Sequence, residues 1–320
     1  MKSFLVVLLL CIPTWVKAQI SVPRIGILVQ EMGRAQSQTI KGVKLELKGL
    51  GYAERKNLRF ETRDVKGDRS ALQTTAKELV AKNVDVILTT GTRATLAAAK
   101  ATREIPLVFV YPGDPVARGL IKNVADAAQN ITGVAAYGDE ATEERLVLFK
   151  EIVPTLTKIH VFFDANSGAA PVRLELTESA AKKLGLQFVR HGIKSSDELK
   201  TTFGNLESNA STGVFQISDD LIESEAEFIF ATARIKKLPT MFNEEGWTIA
   251  GATAAYGPSY FQMGRQAARI IDQILKGKAP AAIPVLRSSK FDFSINYRGA
   301  KYIGLQLPNA LLKKANLIIR

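Results

Sequence analysis

The sequence predicts an α/β protein of two doubly wound lobes, each a parallel sheet covered by helices. Three observations lead to this fold class. Short strands alternate with amphipathic helices along most of the chain. The strands are nearly continuous apolar runs, as in sheets buried on both faces. The alternation restarts near Asn130, and 320 residues, 46% of them hydrophobic, can bury more than one core.

The first half contains four predicted strands separated by helices. The strands are "RIGILV" (24–29), "NLRFETRD" (57–64), "VDVILTT" (84–90) and "PLVFVY" (106–111). Helical spacing of apolar residues covers 36–49 and 70–82, and an alanine-rich helix follows the third strand in "VILTTGTRATLAAAK" (86–100). We therefore expect the chain to pass repeatedly from a buried strand through a short polar turn into a helix.

The second half repeats this rhythm and then changes character. Predicted strands are "NITGVAAY" (130–137), "KIHVFFD" (158–164), "LQFVRHGI" (186–193), "GVFQISDD" (213–220) and "LPTMFNEE" (238–245), with helices between them. After Gly246 we predict one strand, a turn at Tyr256-Gly257-Pro258 and a long helix. The chain closes with the edge-strand-like "FDFSINYRGAKYIGLQLP" (291–308) and a short last helix.

The first 18 residues have the pattern of a cleaved signal peptide. A basic start precedes the nine-residue apolar run "FLVVLLLCI" (4–12), and "VKA" (16–18) supplies the small residues of a cleavage site. The run is too short to span a bilayer, which takes about 20 residues. Leu10 is too bulky for a lipobox at Cys11, so we expect cleavage after Ala18, no lipid anchor, and a periplasmic protein.

Charge and motif content argue against two functional classes. The leader holds Lys2 and Lys17 and no acidic residue, so the net charge falls from +12 to +10 after cleavage. The basic residues form no run longer than two, which indicates a solvated basic surface rather than a nucleic-acid site. Cleavage removes the only cysteine, the two histidines lie inside predicted strands, and common catalytic motifs are missing. We expect no enzyme activity, no metal and no cofactor.

Polar residues follow the carboxyl ends of the predicted strands, where ligands bind in open α/β sheets. The candidate ligand-binding residues are Gln30, Thr90, Gly91, Thr92, Tyr111, Asp114, Tyr137, Asn166, Asp219, Asn243 and Tyr256. Thr92 can cap the next helix, whose first N–H groups favour an anion. Asp114 and Asp219 can face an ammonium group, and the tyrosines, with Phe163, can form apolar walls.

Each candidate also has a purely structural interpretation. Thr92 can serve only as a helix cap. Asp114 can form an Asx-turn before Pro115, and Asp219 with Asp220 can cap a helix. Tyr256 can simply pack its ring in a turn. The convergence of these residues on two facing sheet edges favours a binding site.

Several stretches resemble one known family. They include "ELVAKNVDVILTTGTRATLAAAKATREIPLVFVYPGDPVARGL" (78–120), "RLVLFKEIVPTLTKIHVFFD" (145–164) and "AAYGPSYFQMGRQAARIIDQILKGKAP" (254–280). In order and spacing they resemble the ABC transporter substrate-binding protein family, in its TrpX-like, tryptophan/tyrosine-binding branch. Gly91-Thr92, Gly113-Asp114-Pro115 and Tyr256 keep the family pattern. The segments "QEMGRAQSQ" (30–38) and "FNEEGW" (242–247) depart from it.

The resemblance implies a type I periplasmic-binding fold, in which two lobes joined by hinge crossings close on a small ligand. It places lobe 1 at 19–136 and 250–277, and lobe 2 at 137–249 and 278–320. It further implies a monomer that delivers an amino acid or related carboxylate to a membrane permease of an ABC importer. An alternative from another class is a periplasmic sensing protein that presents its closed form to a membrane receptor.

Overall fold

A computed structural model describes residues 22–110, 115–116, 119–121, 130–136, 141–168 and 170–320. The strands form two sheets, one of six strands and one of seven. Helices cover both, and each of the four buried apolar clusters lies within one lobe. The predicted α/β class with two parallel-dominated sheets is confirmed. Among the described residues no helix combines the length and apolarity needed to cross a bilayer.

The first lobe is built on an all-parallel sheet with the strand order β11-β5-β4-β3-β1-β2. Its strands are β1 (Arg24–Val29), β2 (Arg59–Asp64), β3 (Val86–Thr90), β4 (Leu107–Val110), β5 (Ile131–Ala135) and β11 (Leu286–Arg287). Its helices are α1 (Arg34–Gly49), α2 (Leu72–Ala81), α3 (Thr92–Ala101) and α10 (Tyr260–Leu275). Helices α1 and α10 cover one face, while α2 and α3 cover the other.

The second lobe has the strand order β13-β12-β10-β9-β8-β6-β7, parallel except for the pair β10–β12. Its strands are β6 (Lys158–Asp164), β7 (Gln187–Ile193), β8 (Thr212–Phe215), β9 (Thr240–Phe242), β10 (Ala254–Pro258), β12 (Phe291–Asn296) and β13 (Leu317–Ile319). Its helices are α4 (Thr142–Ile152), α5 (Ala170–Lys183), α6 (Ser196–Gly204), α7 (Asp220–Ser224), α8 (Ala226–Ile235), α9 (Glu245–Ala250), α11 (Tyr297–Tyr302) and α12 (Asn309–Lys314).

Two sequence predictions about the last third of the chain were wrong. Tyr256-Gly257-Pro258 is not a turn but the end of β10, which pairs with β9 and β12. Strand β10 therefore belongs to the second sheet, so the segment 250–277 does not lie wholly in the first lobe. Strand β11 pairs with β5 and returns to the first sheet, so 278–320 does not lie wholly in the second.

The chain passes between the sheets after β5, after β10 and after β11. Backbone hydrogen bonds tie these crossings together: Ser259 N–H donates to the Lys290 carbonyl at 2.9 Å, and Ser288 N–H donates to the Ala135 carbonyl at 3.0 Å. From α10, the Gln266 amide donates to the Arg287 carbonyl at 2.9 Å and accepts from Ser289 N–H at 3.1 Å. The crossings thus form a connected strip between the lobes.

Helices α1 and α10 touch backbone to backbone. A Cβ on Gly42 would lie 2.1 Å from the Phe261 carbonyl oxygen, and one on Gly264 would lie 2.1 Å from the Thr39 carbonyl oxygen. Only glycine allows this approach. Because α10 directly follows the crossing after β10, the contact fixes α1 to the end of that crossing.

Candidate functional site

Buried polar side chains lie at the carboxyl ends of parallel strands in both lobes. Thr90 ends β3, while Gln216 and Asn243 directly follow β8 and β9. Their exposed fractions are 5%, 2% and 7%. In each, one side-chain oxygen (Thr90 Oγ1, Gln216 Oε1, Asn243 Oδ1) finds no hydrogen-bond partner among the described residues. Buried oxygens normally have hydrogen-bond partners. A polar ligand bound at these sheet edges would supply the donors that the described residues do not.

The corner between β3 and α3 has an uncapped helix start. Gly91, with φ of +85°, is the N-cap residue, and no side chain caps the helix. Thr92 is therefore the first helical residue and not the cap that the sequence suggested. The Thr95 hydroxyl donates to the Gly91 carbonyl at 2.8 Å and lies 2.9 Å from the Thr89 hydroxyl, which fixes the turn. The first N–H groups of α3 precede its intrahelical hydrogen bonds and can bind an anion.

The described residues leave space beside Gly91. A Cβ added there would meet none of their atoms within 4 Å. Thr90 shares a sheet face with Val86 and Leu88, which pack toward α1 and α10. Gln30 follows β1 next to Thr90 in the sheet, and its carbonyl accepts from Gly67 N–H at 2.8 Å. The corner therefore combines a positive helix end with a position, Gly91, that no described side chain crowds.

Gln216 was missed by the sequence analysis, because the predicted strand continued to residue 220. The strand ends at Phe215 instead. The Gln216 amide nitrogen donates to Glu223 Oε1 at 3.1 Å. A carboxylate only accepts, so this contact orients the amide and turns Gln216 Oε1 away from Glu223. Arg145, buried and stacked 4.3 Å over the Phe215 ring, donates to the Gln216 carbonyl at 2.8 Å.

Asp219 has the contacts of a helix cap. Its Oδ1 accepts from Leu221 N–H at 3.0 Å and from Ile222 N–H at 3.3 Å. Its Oδ2 accepts from Asp164 N–H at 2.9 Å, which ties α7 to the end of β6. Both oxygens thus already serve backbone donors, in agreement with the structural interpretation. Asn166 lies exposed in the turn after β6, where its N–H donates to Asp164 Oδ1 at 2.8 Å.

Tyr256 and Gly257 bring β10 close to Asn243. The Tyr256 ring stacks on Phe291 with centroids 5.6 Å apart. Burial, with smaller contributions from Glu144 and Asp292, raises the pKa of Tyr256, so it remains a neutral phenol. A Cβ on Gly257 would lie 1.6 Å from the Asn243 carbonyl oxygen, so only glycine fits there. The predicted site residues Tyr111, Asp114 and Tyr137 lie outside the described residues.

A cavity of about 330 Å³ opens between the lobes beside the second crossing. Arg34, Gln38 and Lys41 of α1 line it on one side, and Glu244, Glu245 and Asp292 on the other. Arg34 forms an ion pair with Glu245 across the lobes. The pKa of Asp292 is raised, mainly by burial. A hydrogen bond from Ser259 and the charge of Lys290 oppose this rise, and the charge of Glu245 adds to it.

None of the predicted site residues that the structure describes lines this cavity, although the sequence contained a signal for it. Arg34 and Gln38 lie in "QEMGRAQSQ", and Glu244 and Glu245 lie in "FNEEGW". These are the two segments that depart from the family pattern. They are distant in sequence and face each other only in the fold.

The two histidines form a pair away from these edges. Nδ1 of His160 lies 2.9 Å from Nε2 of His191, and the His191 ring stacks on Phe162 at 4.5 Å. Burial lowers the pKa of His160 to about 4, with smaller contributions from His191 and Lys158. Burial also lowers the pKa of His191. Both residues lie inside strands, as predicted, and no group of three potential ligands among the described residues could hold a metal ion.

Comparisons with known proteins agree on one family. The sequence profile described as ABC transporter substrate binding protein matches residues 24–319. A curated "Tyrosine-binding protein" of Clostridioides difficile is 27% identical over 266 residues, which cover 83% of this chain and 76% of that protein.

Solved structures share the fold of this chain. A domain from Streptococcus pneumoniae in complex with L-Trp has 23% identity and a TM-score of 0.75, covering 93% of this chain and 100% of that one. A ligand-free, open substrate-binding protein with adhesive properties from Clostridium difficile has 24% identity and a TM-score of 0.78, covering 92% and 99%. At these identities the likeness shows the fold. A domain from Vibrio cholerae is 27% identical with a TM-score of 0.74, covering 93% and 100%.

Proposed function

Because this chain belongs to the ABC transporter substrate-binding protein family, we propose that it is the periplasmic solute-binding component of an ABC importer. Its ligand is an amino acid, with tyrosine and tryptophan as the first candidates, captured between the lobes by hinge closure. Proteins of this family are solute-binding proteins and not enzymes. Two observations carry the proposal: the start of α3 in the first lobe has no side-chain cap, and buried amide oxygens at the strand ends of the second lobe have no described hydrogen-bond partner.

The ligand carboxylate binds at the start of α3. The N–H groups at Thr92 and beyond point out of the helix, and the helix dipole favours negative charge there. Gly91 has no side chain, and no described residue lies within 4 Å of the place where its Cβ would be. Thr90 and Gln30 stand at the same edge, and Tyr111 and Asp114 follow the next strand in sequence.

The ligand ammonium group binds on the second lobe. Asn243 Oδ1 and Gln216 Oε1 are acceptors without a described partner, and an ammonium group has three donors. Tyr256, with Tyr137 after β5, forms the wall for the ligand side chain. Asp219 and Asn166 contribute less, because the first is occupied as a cap and the second is exposed.

Hinge closure follows from this division of contacts. A ligand that touches both lobes binds the closed arrangement more tightly than the open one and shifts the population toward it. Micromolar affinity requires only about −8 kcal/mol. The closed form, as a monomer, then delivers the ligand to a membrane permease. The tyrosine- and tryptophan-binding relatives support this ligand class.

The test is calorimetric titration of the purified protein with L-tyrosine, L-tryptophan, other amino acids and small organic acids. Thr92→Pro removes one N–H at a helix position that tolerates proline, and Thr92→Ala is its control. We expect about tenfold weaker amino-acid binding in the proline variant and little change in the alanine variant. Asn243→Ala should also weaken binding, whereas Asn166→Ala should not. Wild-type protein that binds no amino acid would contradict the proposal.

A further inference from the structure

The ion pair between Arg34 and Glu245 joins the two lobes. Arg34 is the first residue of α1 in the first lobe, and Glu245 is the first residue of α9 in the second. The side chains are 41% and 19% exposed, so the carboxylate is the better shielded partner. Both line the cavity beside the second crossing. The pair therefore lies where the separation of the lobes must change if they move.

Each end of the pair is rigidly attached to its own lobe. The glycine contacts at Gly42 and Gly264 fix α1 to α10. On the other side, the buried Thr248 hydroxyl of α9 lies 2.7 Å from the Ser294 hydroxyl of β12, and Trp247 packs 5.9 Å from the Phe242 ring. Movement of one lobe relative to the other is therefore transmitted to the ion pair and not absorbed by loose helices.

Separating the pair leaves each charged group exposed to one unfavourable electrostatic interaction. Arg34 lies in the first turn of α1, where the helix dipole disfavours a cation and no acidic residue is present. Glu245 lies in the first turn of α9, where the dipole favours an anion, but it also lies near the half-buried Asp292, and the two carboxylates repel each other. Lys290 offsets part of this repulsion. Contact between Arg34 and Glu245 relieves both conflicts, which favours the lobe arrangement described here.

We propose that Arg34 and Glu245 are positioning residues for ligand capture, which set the balance between this lobe arrangement and a more open one. They act through the lobes and do not touch the ligand. The ligand part of this inference rests on the proposed function, whereas the effect on lobe arrangement does not.

Small-angle X-ray scattering without ligand tests the lobe arrangement. We expect Arg34→Gln and Glu245→Gln each to increase the radius of gyration, and the charge swap Arg34→Glu with Glu245→Arg to restore it. The control is Lys183→Gln, which removes the exposed Lys183–Glu143 pair inside the second lobe and should change nothing. Single variants with the wild-type radius, or a swap that fails to restore it, would overturn the inference.

Titration with L-tyrosine and L-tryptophan tests the consequence for capture. An ion pair at a partly exposed site contributes modestly, so we expect about two- to fivefold weaker binding in the single variants, through a smaller competent fraction. The swap should regain wild-type affinity. If wild-type protein binds neither amino acid, the proposed function fails, while the scattering result still decides whether the pair sets the lobe arrangement.

Discussion

Two strand-to-helix corners share a topology but differ in the residue at the helix N-cap. One lies between β3 and α3 in the first lobe, and the other between β8 and α7 in the second. Each leads from a buried parallel strand into a helix. At α7, the Asp219 carboxylate occupies the helix start and accepts two backbone N–H groups. At α3, Gly91 stands at the cap position and offers no side chain.

This difference shows how two corners of the same form can serve different roles, one as a helix cap and one as a candidate binding site. Asp219 supplies from within the chain the anion that a helix N-terminus favours. At α3 no described side chain takes that place, so an anion from outside can take it. A capped corner therefore contributes stability, and an uncapped corner of the same form can contribute binding.

The largest effect should come from breaking the capped corner. Asp219→Ala removes a cap and leaves the Asp164, Leu221 and Ile222 N–H groups without their acceptor. We expect a loss of about 2–4 kcal/mol in the free energy of unfolding, measured by urea denaturation. The control is Ser195→Ala, since Ser195 caps α6 through one exposed hydrogen bond. A cost for Asp219→Ala no greater than the control would contradict the comparison.

Filling the uncapped corner should cost affinity and not stability. Thr92→Asp places a carboxylate in the first turn of α3, where the dipole favours it by about 0.3–1 kcal/mol. The same charge repels a ligand carboxylate, so we expect about 10- to 100-fold weaker amino-acid binding by calorimetry, a difference of about 1.4–2.7 kcal/mol. Thr92→Asn, of the same shape without the charge, is the control. Unchanged affinity in Thr92→Asp would show that the carboxylate binds elsewhere.

Acid should act on the second lobe through its histidine pair. The pKa of His160 is about 4 in the folded protein against an ordinary value of 6.5. The unfolded chain therefore takes up protons first, and stability present above pH 6.5 is lost as pH falls toward 4. The melting temperature should fall more steeply over this range in wild type than in the double variant His160→Gln, His191→Gln. Parallel profiles for the two proteins would refute this.

The smallest effect concerns the hydroxyls that fix the uncapped corner. Thr95→Val removes the hydrogen bond to the Gly91 carbonyl and the contact with Thr89. We expect a loss of about 1 kcal/mol in the free energy of unfolding, seen as a small drop in melting temperature. Thr95→Ser keeps the hydroxyl and should retain most of the stability. A loss in Thr95→Ser as large as that in Thr95→Val would contradict the assignment of this stability to the hydroxyl.

The sequence predicted the alternation of strands and helices and the position of the α3 corner, because apolar runs and turn residues are local signals. It did not predict the end of β10. Tyr256-Gly257-Pro258 has the composition of a turn, and only the neighbouring strands β9 and β12 hold it extended. Strand β11 has two residues, too few for any periodicity. The cavity between the lobes joins segments more than 200 residues apart (Arg34 and Glu245 are separated by 211).

The contact between α1 and α10 also bears on how the chain matures. Helix α10 and strand β11 complete the first lobe, yet they follow β6 to β10 of the second in sequence. Until Leu275 has emerged, the face of the first sheet that α1 and α10 share lacks α10, and until Arg287 has emerged the sheet also lacks β11. Domains that are contiguous in sequence can fold one after the other during synthesis, but these interleaved lobes cannot. Because the first lobe is completed late, most of the growing chain lacks its finished fold during synthesis. An unfolded polypeptide can still be threaded through a narrow pore.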